Sequence, residues 1–372
     1  MSAVPLPALS SDSLALLVFG PGTGELVMVR APPGEWIVVD GCSADRVAYA
    51  QAALDFYEAV PRIIVLTHPH SDHAAGVADL VERFTPEDAP KVWPLLGMVQ
   101  PPDTEGAGDT HDPQGALRGG LAERAVAAIR SRWELHADCQ WTMRIGDQRS
   151  LGQATLTVLS PEASVQERVG AAYRSGRRVQ WNDVSSALLL EWKGLRLVLG
   201  SDLEKRGWRA ALRRWSNLAI HRALNVPHHG SRGALVAGLL SAPSRAAEPV
   251  WVATPFASRN LPRFDTGPHG GIAFLHRYQS PVRLTSLPRR YDDQGGPPGH
   301  EMTRSRLSRI ARTEARDPAR PGFPDCFVVI QLDRSGVPAI THGACSVVVT
   351  GPRTRSRAST RPGRTAKKRR SR

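Results

Sequence analysis

The chain has 372 residues, 41% of them hydrophobic and 22% charged, enough apolar material for a buried core that needs neither disulfides nor a partner. No apolar run approaches the roughly 18 residues that span a bilayer, and no basic stretch precedes the short apolar run near the N-terminus. These features argue against a helical membrane protein and a signal peptide, and they predict a cytoplasmic location. The net charge is +13, but residues 351–372 hold ten Lys and Arg and no acid, so the body carries only +3.

Two short strands are expected at 14–20 and 25–31 around the Gly-rich turn Pro21-Gly22-Thr23-Gly24, and a buried strand at 35–41 ends at Asp40-Gly41. Residues 46–59 show helical spacing of apolar positions. The buried strand 62–68 runs into HPHSDH and then a helical segment at 74–84. A Pro- and Gly-rich loop over 99–120 leads to a helix at 121–135. Antiparallel strands follow within 143–161, and a hairpin over 185–202 turns at Lys193-Gly194. An amphipathic helix spans 204–216, and a strand opens into a His-rich turn over 221–233. Further strands are expected at 249–256, 281–286, 326–332 and 344–350, with 287–324 as an insertion. The scheme is one domain over 1–350 followed by a disordered basic tail over 351–372. Strands outnumber helices, which fall between strand groups in both halves, and two packed sheets with helices outside satisfy that pattern. Cys42, Cys139, Cys326 and Cys345 show no regular spacing, which argues against a disulfide framework and for small buried hydrophobes.

His68-Pro69-His70-Ser71-Asp72-His73 places four possible metal ligands in six residues between a buried strand and a helix. His68 and His70 alternate, so both can grip one ion, while Asp72 and His73 lie one turn further on and can grip a second. Imidazole with carboxylate suits Zn, Mn or Fe far better than Ca or Mg alone.

This H-x-H-x-D-H motif resembles that of the metallo-β-lactamase superfamily. That resemblance implies an α/β fold, the αββα sandwich of two packed mixed sheets with helices on the outer faces, and a dinuclear metal-dependent hydrolase. It implies Asp40 at the end of the preceding strand, Asp202 (after LRLVLGS) bridging the two ions, and one ligand from His228-His229 in NVPHHGS, with the choice between the two left open. The combination of FGPGTGELVMV, IVVDG, LTHPHSDHAAGV, WNDVSSALLLEWKGLRLVLGSDLE and NVPHHGS is similar to the hydrolase domain of ComEC-type DNA-uptake proteins and to their phosphorylcholine-esterase relatives. SRNLPRFDTGPHGG, with His269, resembles that group's Asn-x-x-x-His-Pro region, except that a Gly rather than a Pro follows His269. The membrane-spanning segments of ComEC proteins are missing, and so is the separate His that many members carry before the bridging Asp. His111 and His136 are the only candidates for it, and both read as loop or surface histidines.

The expected cofactors are two divalent ions, Zn or Mn, with a hydroxide shared between them attacking phosphorus or a carbonyl carbon. The expected ligands are His68, His70, Asp72, His73, Asp202 and His229. Asp72 can also orient the nucleophile, and whichever of His228 and His229 is not a ligand can protonate the leaving group. Asp40 can fix a liganding His or cap a turn. Asn182 lines the pocket or starts the hairpin, Ser231 and Arg232 contact a phosphate or form a solvated turn, and His269 touches substrate or sits in an ordinary turn. His221, His276, His300 and His342 read as structural or exposed. The basic tail predicts a nucleic-acid partner through phosphate contacts. The leading function is therefore a phosphodiesterase or nuclease. The alternatives are a hydrolase of small esters, thioesters or phosphocholine esters, and a non-catalytic operon partner such as a defence-cluster protein.

Overall fold

The computed structural model describes residues 6–44, 47–85, 93–96, 120–136, 141–241, 248–256, 261–263, 270–279, 281–287, 300–303 and 326–351. The loop 99–119, His111, His269 and the tail beyond Gly351 lie outside them.

Two mixed sheets form the body. The first has eight strands in the order Pro338–His342, Phe327–Leu332, Leu14–Phe19, Leu26–Ala31, Glu35–Asp40, Pro61–Leu66, Trp93–Leu96 and Trp141–Thr142. The second has nine, in the order His300–Thr303, Val347–Thr350, Val282–Leu284, Val250–Ala253, Ala223–Asn225, Leu195–Leu199, Leu188–Trp192, Ala154–Val158 and Gln148–Leu151. Hairpins at the chain start and at 188–199 are antiparallel. Glu35–Asp40 with Pro61–Leu66, and Leu195–Leu199 with Ala223–Asn225 and Val250–Ala253, run parallel.

Alternation along each strand builds three apolar layers. Leu14, Leu16 and Val18 face the second sheet and pack with Leu188, Leu190, Trp192 and Leu197. Their neighbours Ala15, Leu17 and Phe19 face outward, under the helices Tyr49–Phe56, Val77–Phe84 and Leu121–Leu135. On the far side, Leu189, Val198 and Leu224 lie beneath Trp208 and Ala211 of the helix Lys205–Arg214 and beneath Leu239, Ile272 and Leu275. Helix, sheet, sheet, helix is the layering the motif resemblance implied.

Two expectations need revision. Cys326 and Cys345 are disulfide-bonded with Cα atoms 4.8 Å apart, because the strand before Cys345 folds back on Phe327–Leu332, a proximity that scattered spacing did not signal. Cys42 is free and buried, as a small core residue would be. Residues 300–303, placed in an insertion by their polar surroundings, form an edge strand paired in parallel with Val347–Thr350. The helix Ala163–Arg174 and the strand Pro338–His342 also went unforeseen; the latter is amphipathic and only half-buried, so its apolar signal is weak. No described helix is long and apolar enough to cross a membrane.

Candidate metal centre

The cluster forms where strands of both sheets end at one edge of the sandwich. Glu35–Asp40 delivers Asp40, Pro61–Leu66 delivers Thr67 and His68, Leu195–Leu199 delivers Ser201 and Asp202, and Ala223–Asn225 leads into His228 and His229. Four residues here hold left-handed backbone without being glycine: Asp40 (φ 61), Ser201 (φ 42), His228 (φ 50) and His229 (φ 51). Such conformations cost of order 1–3 kcal/mol each and persist where surrounding structure enforces them. The enforcement is visible as close backbone approach. The Gly41 N–H donates to the His73 carbonyl at 2.7 Å, and any Cβ at Gly41 would collide with the Ala75 carbonyl. Similarly, a Cβ at Gly24 would sit 2.5 Å from the Asp72 carbonyl, to which the Glu25 N–H donates at 3.0 Å.

Three buried histidines of the cluster, His68, His73 and His229, are each held through Nδ1. The Thr67 hydroxyl donates to Asp40 Oδ2 (2.7 Å), accepts from the Ser201 hydroxyl (2.7 Å), and lies 3.0 Å from His68 Nδ1. With its proton given to Asp40, Thr67 can only accept from His68, so His68 is protonated on Nδ1. His73 Nδ1 donates to Asp40 Oδ2 at 2.7 Å, and Asp40 Oδ1 accepts the Thr67 N–H at 2.7 Å. His229 Nδ1 lies 2.9 Å from the Thr254 hydroxyl, and the ring stacks on Phe256 at 5.1 Å. The Nε2 lone pairs of all three therefore point into the cluster, as metal ligation requires.

Asp202 stands at the centre, 3% exposed, its own N–H bonded to the Ser185 hydroxyl at 3.0 Å. Its Oδ1 is 3.4 Å from His73 Nε2 and 3.8 Å from His229 Nε2; its Oδ2 is 3.8 Å from His68 Nε2 and 3.5 Å from His228 Nε2. Asp72 Oδ2 lies 3.4 Å from His229 Nε2 and 3.9 Å from His73 Nε2. His73 Nε2, His229 Nε2 and Asp202 Oδ1 are buried without a hydrogen-bond partner of good geometry. Buried polar atoms are rarely left so, and three of them converging on one point fit a cation. Two triads, His68-His73-Asp202 and Asp72-His73-His229, have their ligand atoms within 4.8 Å of one another. Nitrogen and carboxylate donors in this mixture suit Zn or Mn.

The electrostatics agree with a site built around positive charge. Burial opposes a charge on Asp202, yet His73, His228 and His229 outweigh it and hold the carboxyl well below the usual range. Asp72 is likewise lowered: burial is outweighed by His73 and His229. For His73, burial is outweighed by Asp202, Asp40 and Asp72, so the ring is raised. His68 and His70 are lowered, chiefly by burial.

The remaining expected residues divide. His70 Nδ1 lies 3.0 Å from His68 Nε2, so it joins the cluster. His228 flanks the Oδ2 side of Asp202, with Asn182 Nδ2 3.5 Å from its Nε2 and Glu204 Oε1 3.8 Å from its Nδ1. The pocket role of Asn182 thus has a partner. Arg232 turns aside: its guanidinium lies 3.6 Å over the Phe274 ring and donates to the Leu235 carbonyl. Ser231 closes the His turn through its N–H to the His228 carbonyl at 2.7 Å. His136 ends the helix Leu121–Leu135 and enters neither triad of ligands. Asp40 accepts from His73 Nδ1 and from the Thr67 N–H and hydroxyl, the contacts that a residue orienting His73 would make. Glu25, Thr67, Ser201, Asn225 and Thr254 join the network around the cluster without being among the expected site residues. The only signal for Glu25 was an acid abutting the apolar run LVMV.

Residues 20–93 match the family model described as the metallo-beta-lactamase superfamily. Over 111 residues, 30% of this chain, the sequence is 32% identical to hydroxyacylglutathione hydrolase of Xylella fastidiosa strain M12 and covers 33% of that protein. It is 31% identical over 111 residues to hydroxyacylglutathione hydrolase of Xanthomonas euvesicatoria pv. vesicatoria, covering 34% of it. The chain thus spans about a third of the length of the curated relatives it matches. A metallo-beta-lactamase of known structure from Staphylococcus aureus aligns over 83% of this chain and 75% of its own, at 11% identity and a TM-score of 0.33. The two mixed sheets with helices outside, and the match over residues 20–93, are consistent with the metallo-β-lactamase fold.

Proposed function

We propose that this chain is a dinuclear metal-dependent phosphodiesterase acting on nucleic acid, with ComEC-type hydrolase domains as its functional counterparts. The observation that carries the dinuclear reading is the split of Asp202, one oxygen facing His73 and His229 and the other facing His68 and His228. A carboxylate so divided is the natural shared ligand of two ions. When bound, the ions supply Lewis acidity at the phosphoryl oxygens and a nucleophile at neutral pH. His68, His70 and Asp202 would hold one, and Asp72, His73, His229 and Asp202 the other.

The protein's own groups then do the positioning. Asp72, fixed by its backbone carbonyl to the Glu25 N–H, orients the attacking oxygen through its carboxylate. His228 is more open to solvent than His229 and is steadied by Asn182, so it can give a proton to the leaving oxygen. The nucleic-acid reading is supported by the helix Lys205–Arg214, which begins three residues after Asp202 and reads KRGWRAALRR. Trp208, Ala210 and Ala211 are its buried face, while Arg206 and Arg209 are exposed. Lys205 is lowered by burial and then by Arg232 and Arg209, so like charges gather around the start of this helix. Such a cluster is costly alone and favourable against a phosphate backbone. The basic tail 351–372 adds a second electrostatic arm to the same reading.

The test is cleavage of labelled single- and double-stranded DNA and RNA with Mn2+ or Zn2+, beside the Asp72→Ala, His73→Ala double variant. Metal-dependent cleavage by wild type alone supports the reading, and inactivity of metal-loaded wild type on every nucleic acid overturns it. A second reading, hydrolysis of a small thioester, is favoured by the 111-residue likeness to hydroxyacylglutathione hydrolases. Release of thiol from a hydroxyacylglutathione by the same preparation would move the assignment there.

A further inference from the structure

We propose that Glu25 and Thr254 form a positioning relay that sets the tautomer and direction of His229, so that a ligand carried by the second sheet is fixed from the first. The proposal rests on the metal-centre reading above, and it concerns residues outside the motifs that pointed to that reading. Glu25 immediately precedes the strand Leu26–Ala31 of the first sheet and is 2% exposed. Its Oε2 accepts from the Thr254 hydroxyl at 2.5 Å and from Asn225 Nδ2 at 3.1 Å. Both donors stand at the C-terminal ends of second-sheet strands, Ala223–Asn225 and Val250–Ala253.

The consequence lies in proton counting. A threonine hydroxyl has one proton, and here it goes to Glu25. Its oxygen is left with lone pairs only, so His229 Nδ1, 2.9 Å away, must be the donor. The Nε2 lone pair is then directed at Asp72 and Asp202. Without the carboxylate, the hydroxyl is free to rotate and donate to Nδ1, which would place the proton on Nε2 and abolish ligation. The same Glu25 holds Asp72 through its backbone N–H at 3.0 Å. Two members of the Asp72-His73-His229 triad are therefore tied to one buried acid. Stability alone does not call for an acid here, since burying a carboxylate costs more than burying an apolar side chain of similar size. A role in orientation accounts for it.

Three variants test the relay: Thr254→Val, which keeps shape and removes the hydroxyl; Thr254→Ser, which keeps it; and Glu25→Gln. The first readout is the nitrogen-15 NMR pattern of His229 in metal-free protein at alkaline pH. Wild type and Thr254→Ser should show the Nδ1–H tautomer, and Thr254→Val and Glu25→Gln a mixture. The second is Zn2+ affinity by chelator competition. Thr254→Val and Glu25→Gln should weaken one of the two ions about 10–100-fold, as changes to the hydrogen-bond partner of a liganding histidine do, while Thr254→Ser stays near wild type. A mixed tautomer in wild type, or a pure Nδ1–H tautomer with unchanged Zn2+ affinity in Thr254→Val, overturns the relay. Failure of wild type to bind any Zn2+ would instead overturn the metal-centre reading, and the tautomer spectra would still decide the relay. If Glu25→Gln does not fold, the two Thr254 variants carry the test.

Discussion

Thr67→Val probes the network under the cluster without changing its shape. The wild-type hydroxyl takes part in three contacts: to Asp40 Oδ2 at 2.7 Å, from Ser201 at 2.7 Å, and from His68 Nδ1 at 3.0 Å. Valine fills the same volume and keeps the backbone N–H to Asp40 Oδ1 at 2.7 Å. Ser201 retains Ser185, 2.7 Å away, and Asp40 retains His73, so neither is orphaned. His68 Nδ1 has no such substitute and is left with a buried, unpaired proton. A net hydrogen bond is worth about 1 kcal/mol, and an orphaned buried donor costs about 1–3 kcal/mol more, so the variant should lose about 2–4 kcal/mol. The assay is urea denaturation of metal-free protein, in which the midpoint should fall with an unchanged slope. Zn2+ affinity should also drop by about 10-fold or more as the His68 ring loosens. A stability change below about 0.5 kcal/mol together with unaltered Zn2+ affinity would refute the network as the support of the site.

Charge reversal at Lys205→Glu with Arg209→Glu should weaken binding to single-stranded DNA and flatten its salt dependence, by a slope of about 0.9 for each phosphate left unneutralised on a duplex and about 0.7 on a single strand; fluorescence anisotropy across a salt series checks it. Removing the Cys326–Cys345 bond, by reduction or by Cys345→Ala, should cost about 3 kcal/mol for a loop of this size, measured as the shift in urea midpoint under oxidising and reducing conditions. His342 is pushed down to about 4, first by burial and then by Arg283. Because its folded value lies below the unfolded value of 6.5, its contribution to stability is complete above pH 6.5 and is lost as pH falls from there towards 4. His342→Gln should flatten that arm of a plot of melting temperature against pH.

The sequence showed the sandwich because strand and helix periods alternate cleanly. IVVDG, RIIVLT and LRLVLG are apolar runs, and each is a parallel or hairpin strand at or just after whose end stands Asp40, His68 or Asp202. Density of ligand types within six residues exposed the first half of the cluster. Proximity across the two sheets was not legible. Glu25 and Thr254 are separated by 229 positions, and nothing local distinguishes Thr254 from any other strand-end threonine. Thr67 was hidden in the same way, since its three partners come from three different strand ends. The Cys326–Cys345 bond depends on how the last strands fold back, which spacing does not encode. Between His228 and His229, the sequence left the ligand open. Burial separates them: His229 is enclosed with its Nε2 aimed at Asp72 and Asp202, while His228 stands nearer solvent beside Asn182 and Glu204.

The shared carboxylate of Asp202 is the centre of the proposed chemistry, and metal stoichiometry tests it most directly. Protein freed of metal, reloaded with Zn2+ or Mn2+ and desalted should carry two ions per chain by mass spectrometry under non-denaturing conditions. Asp202→Asn, close to isosteric but lacking the charge that bridges, should carry one or none while remaining folded. One ion or none in wild type, or two retained in Asp202→Asn, would contradict a dinuclear centre built on that residue.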